Sequence, residues 1–296
     1  MSSAVKLLQG RFGRVALLDM SAPLVAHAHP HCHVLIKAGG ADTGFLVRGE
    51  EAPLTDTTAV LVNAWEPHLY RHDIAPGQST LILALYIEPS WLADIQRSLQ
   101  LSAHPRFFPR SCVEINPAIK RIADEFILEL WWSDDIAATR VEQLLFNLMI
   151  AVIDSHSGWR DTTGLMQSRP RGTVDPRIRR AIAYMRENVS LDFDMSTLAD
   201  EAGMSRAHFF SRFQAETQTT PLVYANVLRV EEAIRQLSST DRSVGDVSYA
   251  LGFSAPSHFS RFFRQHLGIT PSGYRRAVSL YESPSPDADA AQPLAL

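Results

Sequence analysis

The last hundred or so residues of this chain contain one supersecondary unit written twice. Residues 207–224 and 257–274 align at a constant offset of 50, which pairs His208 with His258, Phe209 with Phe259, Phe213 with Phe263, Thr220 with Thr270, Pro221 with Pro271 and Tyr224 with Tyr274. Two copies at this period are too few for a solenoid, so they belong to one small domain built by duplication. Each copy is punctuated as two helices joined by a tight turn. The first reads Ser196-Thr-Leu-Ala-Asp-Glu-Ala-Gly203-Met-Ser205 before a helix that opens at Arg206; the second reads Val244-Gly-Asp-Val-Ser-Tyr-Ala-Leu-Gly252-Phe-Ser254 before one that opens near Pro256. The glycine supplies a left-handed turn residue, the serine two positions later is a candidate cap for the next helix, and Pro256 suits a first helical turn. Two helices joined in this way form the scaffold that lays its second helix in a DNA major groove.

At about 100° per residue the second helices divide into two faces. Phe259, Phe262, Phe263 and His266 share one arc, which predicts a core face, while Ser257, His258, Arg261, Arg264 and Gln265 occupy the rest. In the first copy Phe209 and Phe213 hold the core arc and Ala207, Ser211 and Gln214 lie opposite. Phe210 falls between the faces, where it either packs on a neighbouring helix or offers an apolar contact to a thymine methyl.

Residues 175–278 resemble the AraC family of bacterial transcription activators. The likeness rests on Ser243-Val-Gly-Asp-Val-Ser-Tyr-Ala-Leu-Gly-Phe-Ser, then Ser257-His-Phe-Ser-Arg-Phe-Phe, then Gly268-Ile-Thr-Pro-Ser-Gly-Tyr-Arg-Arg276. It implies two helix-turn-helix units joined by a long helix, here about Leu222–Leu237, acting on double-stranded promoter DNA beside RNA polymerase. The base-edge positions it implies are Ala207, Phe210 and Ser211 in the first unit and Ser257, His258 and Arg261 in the second, with Arg206, Gln214 and Arg264 completing the surface. An arginine at 261 can fork onto guanine O6 and N7, worth about 1–3 kcal/mol against a wrong base, or it can contact phosphate. The first unit departs from the family pattern, with Ser211 where the second has Arg261 and Gln218 where a helix-ending glycine is expected. More of the specificity is therefore expected from the second unit or from DNA shape.

Charge is a weaker guide. The formal net charge is −4, which by itself would not identify a DNA binder. Every basic side chain after Lys120 is an arginine, however, and arginine suits planar recognition of phosphate and guanine. Cys32 and Cys112 form no CxxC pair and read as free thiols of a reducing compartment. No apolar run reaches the roughly 18 residues of a membrane span, and the start lacks a signal-peptide pattern, so the expected location is the cytoplasm with no membrane partner.

At 296 residues and 46% hydrophobic content, the chain suits two domains, each with its own core. Short strands with turn signals are predicted at Arg14–Leu18, Val34–Lys37, Gly44–Val47, Ala59–Val62 and Thr80–Ile87. From about Asn116 the period becomes helical, first over Ile119, Ile122, Ala123, Phe126, Ile127 and Leu130, then over Val141, Leu144, Leu145, Leu148, Met149 and Val152. This Leu/Met stripe either packs on its own barrel or pairs two copies into a homodimer. The expected plan is α+β with two domains: a cupin-like β-barrel over about 1–90 with flanking helices over about 91–157, a linker at 158–173, an all-α tandem helix-turn-helix domain at 174–280, and a disordered tail at 281–296.

The remaining constellation is His27-Ala-His-Pro-His-Cys-His33, with His68 and His72 downstream in Trp65-Glu-Pro-His-Leu-Tyr-Arg-His. Histidines at every second position share one side of a strand, and in a small barrel one side is the interior. Clustered neutral imidazoles are ligands for zinc, iron, nickel or copper. The layout resembles the cupin barrels that serve as sensor halves in AraC-like proteins. That resemblance puts His27, His29 and His68 on the pattern's histidines and His33 where its glutamate would stand, while Asn63 and Trp65 replace its Pro-x-Gly. Pro30 permits a bend that would shift the register of His31. The cluster implies a small-molecule effector site, a divalent transition metal (zinc, iron or nickel), or purely structural histidines. The primary expectation is a sequence-specific transcriptional regulator that is not an enzyme; the alternative is a metal-dependent cupin enzyme with an appended DNA-binding module.

Overall fold

The computed structural model describes residues 2–133, 135–158, 175–190 and 194–281. The expected linker beyond Gly158 and the expected tail beyond Tyr281 lie outside the described residues. The first half runs β1 (Ser3–Gly10), β2 (Gly13–Met20), β3 (Cys32–Gly40), β4 (Thr43–Val47), β5 (Glu50–Leu54), β6 (Thr58–Val62), β7 (His68–Arg71), β8 (Thr80–Ile87), α1 (Pro89–Ile95), β9 (Cys112–Glu114), α2 (Pro117–Trp132) and α3 (Ala138–His156). The second half runs α4 (Pro176–Glu187), α5 (Met195–Glu201), α6 (Arg206–Thr217), α7 (Pro221–Ser239), α8 (Val244–Ala250), α9 (Pro256–Leu267), α10 (Pro271–Ala277) and β10 (Val278–Leu280).

The strands form a large sheet ordered β10-β1-β2-β8-β3-β6-β9 and a small one ordered β5-β4-β7. Strands β2, β3 and β8 are buried almost throughout, because one face of the large sheet looks at the small sheet and the other lies under helices. The inner face contributes Leu35, Val60 and Ala84 to a core shared with Phe45, Val47 and Tyr70 of the small sheet. The outer face contributes Val34, Ile36, Leu83 and Leu85 to a core shared with Phe126, Leu130, Leu144 and Leu148. Burial on both faces is why these strands read as continuous apolar runs rather than alternations.

The structure settles the ambiguous stripe. Val141, Leu144, Leu145, Leu148, Met149 and Val152 are all buried against the barrel's outer face, so this stripe is not a surface left for a second copy. Strands β1, β5, β7, β9 and β10 were not anticipated. In β5 the sequence Glu50-Glu-Ala-Pro-Leu54 looks like a turn, yet Pro53 is tolerated because β5 is an edge strand.

In the helical half the turn glycines behave as the sequence implies, with φ of 62° at Gly203 and 80° at Gly252. The expected serine caps do not form. Ser205 precedes α6 and makes no side-chain cap bond, while the N-cap of α9 is Ala255. Ser254 meets His258 Nδ1 instead, at 3.0 Å. Capping is done elsewhere: Ser243 and Asp246 form a reciprocal box at α8, and Thr220 and Thr270 accept from the first turns of α7 and α10. Gln218 does take the left-handed position of a helix-ending glycine, at φ 61°, and its side-chain amide donates to Ala215 O at 3.0 Å.

The two units have separate undersides. Phe209 and Phe213 of α6 close a core of their own with Ile178, Met185, Leu198 and Tyr224. Phe259 and Phe263 of α9 join a core that runs through Val230, Ile234 and Leu237 of α7 into the interior of the barrel. Strand β10 is parallel to β1, pairing Leu7 with Val278, and Gln9 Oε1 accepts from Ser238 at 2.9 Å and Tyr274 at 3.1 Å.

The equivalent turn glycines therefore carry different loads. A Cβ at Gly252 would lie 1.8 Å from Ser190 O, whereas one at Gly203 would meet nothing within 4 Å. Gly203→Ala should cost about 1–2 kcal/mol, the strain of the left-handed backbone alone. Gly252→Ala should cost more than twice as much, because backbone must also move. Denaturant unfolding of the two variants checks this; equal losses would contradict it.

Candidate functional site

The exposed faces of α6 and α9 are the first candidate surface. Phe209, Phe213, Phe259 and Phe263 are each 0% exposed, so the orientation of both helices is fixed from beneath. Arg206, Ala207, Phe210, Ser211 and Gln214 on α6, and Ser257, His258, Arg261 and Arg264 on α9, all face solvent. Phe210 is 43% exposed, large for an aromatic ring. Among the described residues Arg206, Arg261 and Arg264 enter no ion pair, whereas Arg212 is held by Glu216 at 2.6 Å. A guanidinium with no internal partner meets phosphate or a base edge without first giving up an ion pair. His258 is oriented by Ser254, which leaves its other ring nitrogen toward solvent.

The second candidate lies where the barrel meets the helical half. The histidine segment is not a strand until Cys32; before it, His27 makes an isolated bridge with His68. His27, His29, His31, His33 and His68 are all buried, and ligand atoms of His29, His33 and His68 lie within 4.8 Å of one another. His27 stands beside this group, its ring centroid 4.3 Å from that of His68. His31 turns aside to Glu88 Oε1 at 2.8 Å.

The backbone sets the tautomers. A carbonyl oxygen only accepts, so the ring nitrogen facing one carries the proton. This applies to His27 Nδ1 against Val25 O at 2.8 Å, His29 Nδ1 against His31 O at 3.0 Å and His68 Nδ1 against Glu66 O at 2.8 Å. His29 Nε2 then accepts from His33 Nδ1 at 3.0 Å, which leaves His33 Nε2 as a lone pair. Burial keeps the rings neutral: the pKa values of His27, His29 and His33 fall well below the ordinary value, with neighbouring histidines adding to the effect, and desolvation brings that of His68 down to about 4. His33 Nε2 and His68 Nε2 are buried and meet no hydrogen-bond partner among the described residues. Three neutral imidazoles with two orphaned lone pairs are a donor set that fits a divalent transition metal.

Residues that sequence reasoning missed surround the cluster. The Tyr86 ring stacks on His33 at 4.0 Å, and the Arg14 guanidinium lies 4.1 Å over the same ring. A cavity beside them is lined by Arg14, His27, His29 and Tyr86 from the barrel and by Asn226, Glu231 and His266 from α7 and α9. The only signal in the sequence was an arginine opening the apolar run Arg14-Val-Ala-Leu-Leu18. Trp65, standing where the cupin pattern has glycine, keeps a left-handed φ of 62° and stacks flat on Tyr224 of α7 at 4.4 Å. Strain of that kind persists only where surroundings hold it, and here the second half of the chain supplies them.

Comparison with known proteins agrees with this division. A family model described as an AraC-like ligand binding domain matches residues 24–149, and a helix-turn-helix domain model matches residues 198–277. The MmsAB operon regulatory protein of Pseudomonas aeruginosa is 38% identical over 96 residues, or 32% of this chain and 31% of that protein, so the match spans about a third of the relative's length. The HTH-type transcriptional activator RhaS of Shigella sonnei is 23% identical over 257 residues, covering 84% of this chain and 87% of its own. An apo ToxT variant from Vibrio cholerae shares the fold, with a TM-score of 0.54 at 12% identity over 90% of this chain and 97% of that one.

The neutral histidines make stability fall with acid. In the unfolded chain an imidazole titrates near 6.5, but folded His68 does so only near 4, so between these values the unfolded state holds the extra proton. Stability should be full above pH 6.5 and decline toward pH 4, with His68 alone accounting for about 3 kcal/mol of the loss. Chelator-treated protein melted across this range checks the sign; a melting temperature flat from pH 7 to 5 would refute it.

Proposed function

The chain belongs to the AraC family of transcriptional regulators, and from that membership we propose that it reads promoter DNA with α6 and α9 under the control of a signal received by its barrel. The observation that carries this reading is the pairing of solvent-facing polar surfaces with fully buried aromatic undersides on both helices. Within the surface, Ser257, His258 and Arg261 read base edges from α9, and Ala207, Phe210 and Ser211 do so from α6. Arg206, Gln214 and Arg264 hold the backbone, fixing register without reading sequence. The relatives are regulators and activators, which favours regulation over the enzyme alternative. Activation through RNA polymerase fits the same relatives.

In the barrel, His29, His33 and His68 hold a divalent transition metal, zinc, iron or nickel, with His27 beside it. When bound, such an ion supplies an electrophilic centre to which a polar effector can attach. Two copies pair through the outer side of α2, where Leu128, Trp131 and Trp132 are 56%, 48% and 77% exposed. This face, rather than the α3 stripe, is the surface that remains for a homodimer.

Replacing Arg261 with alanine tests the reading of DNA. In gel shifts on the protein's own upstream DNA, the variant should lose about 1–3 kcal/mol of preference for the operator over scrambled sequence while keeping non-specific binding. An unchanged preference would remove Arg261 from base contact, and no binding by the parent protein would sink the regulator. Elemental analysis tests the metal. Protein grown with zinc, iron and nickel should carry about one ion per chain, and His33→Ala should carry almost none. A parent protein free of metal under these conditions would leave the histidines to an organic effector or to structure alone.

A further inference from the structure

The seam cavity contains a buried guanidinium that no carboxylate of the described residues meets in an ion pair. Arg14 is 5% exposed, and among the described residues no carboxylate oxygen lies within the 4.0 Å of an ion pair. Burial opposes its charge, but the Tyr274 hydroxyl, Glu231 of α7 acting from beyond that distance, and the Tyr86 side chain on which it rests hold its pKa above the ordinary value. A buried arginine is ordinarily paired, most often by a forked contact with a carboxylate or phosphate. Here the fork opens into a cavity whose walls belong to both halves of the chain.

The rest of the lining specifies the occupant. Val223, Val227, Val230 and Leu267 give one apolar side, and Glu231 offers an acceptor across from Arg14. The free volume is ≈ 20 Å³, room for one or two waters and far below the roughly 300 Å³ at which ordinary ligand pockets begin. Anything larger must push α7 and α9 away from the barrel. The same helices carry the underside of the second helix-turn-helix unit, whose Gln265 O accepts from Val25 N at 3.0 Å across the seam.

We propose that this seam is a binding site for a small carboxylate carrying a second hydrogen-bond donor, such as a hydroxy or amino acid, with Arg14 taking the carboxylate and Glu231 the donor. Its entry parts the second helix-turn-helix unit from the barrel. Because such a ligand binds the parted arrangement and has no room in the closed one, it must shift the balance between them. This deepens the regulator reading, on which it rests, by naming the effector's chemistry and the joint it acts on.

The test uses the full chain and four probes: 3-hydroxybutyrate, 2-aminobutyrate, butyrate and 3-hydroxybutyramide. Equilibrium binding should rank the hydroxy and amino acids about 10-fold or more above butyrate, with no measurable binding of the neutral amide. Hydrogen exchange at Val25 and at residues 278–281 should accelerate on binding of the acids. Arg14→Gln should lose the acids, and Glu231→Gln should bind them no better than butyrate. Should Arg14→Gln fail to fold, Asn226→Trp, which fills the cavity from the α7 side, should abolish binding in a folded protein. Gel shifts on the same preparations separate the two readings: intact operator binding with no affinity for any acid at 10 mM, or equal affinity for acid and amide, overturns the seam site alone. Binding of the acids without faster exchange at Val25 overturns the parting of the domains.

Discussion

The interaction on which the rest of the molecule depends is the burial of the second helix-turn-helix unit against the open end of the barrel. A single continuous apolar core joins Phe45 and Tyr70 of the small sheet to Ile234, Phe259 and Phe263 of the helical half. Burying apolar area is favourable at about 25 cal/mol per Å² and is indifferent to direction, so it holds the two halves together without fixing their angle. The angle is fixed by polar contacts around its rim: β10 along β1, Gln9 between Ser238 and Tyr274, and Val25 N on Gln265 O. The first unit is held differently, by its own core and by the stack of Trp65 on Tyr224. One helix-turn-helix unit is fused to the barrel and the other leans on it.

This asymmetry places the polar cost of the fold at the seam. Five buried histidines, a buried arginine and a buried tyrosine stand within one region of the barrel. Backbone carbonyls take the one proton of His27, His29 and His68, the ring of His29 takes that of His33, and burial denies these four a second. Buried polar groups left without partners are expensive, and proteins retain them where they act. The orphaned nitrogens of His33 and His68 and the guanidinium of Arg14, which no carboxylate meets, are such groups, and the ring of Tyr86 touches both His33 and Arg14.

Much of the helical half was legible because its signals are local. Turn glycines and a 3.6-residue aromatic period depend on neighbours a few positions away, and α5, α6, α8 and α9 fall where those signals put them. At α9 the expected cap failed for an equally local reason: the helix opens at Pro256, where the offset of 50 puts it, so Ser254 stands one residue before the N-cap and orients His258 instead. The barrel was less legible. Strands β2, β3 and β8 read as apolar runs without alternation, and β5 was hidden by Pro53, whose tolerance depends on having no neighbour on one side.

The sequence by itself determined that there are two helices with aromatic undersides, which face of each is polar, and that histidines gather in the first half, because periodicity and spacing are properties of the chain. It could not determine that α3 is spent on its own barrel, that His31 leaves the cluster for Glu88, or that Arg14 and Glu231, more than two hundred residues apart, border one cavity. Those facts depend on which surface lies against which. That choice is made by the summed burial of the whole fold, a quantity that no local stretch of residues contains.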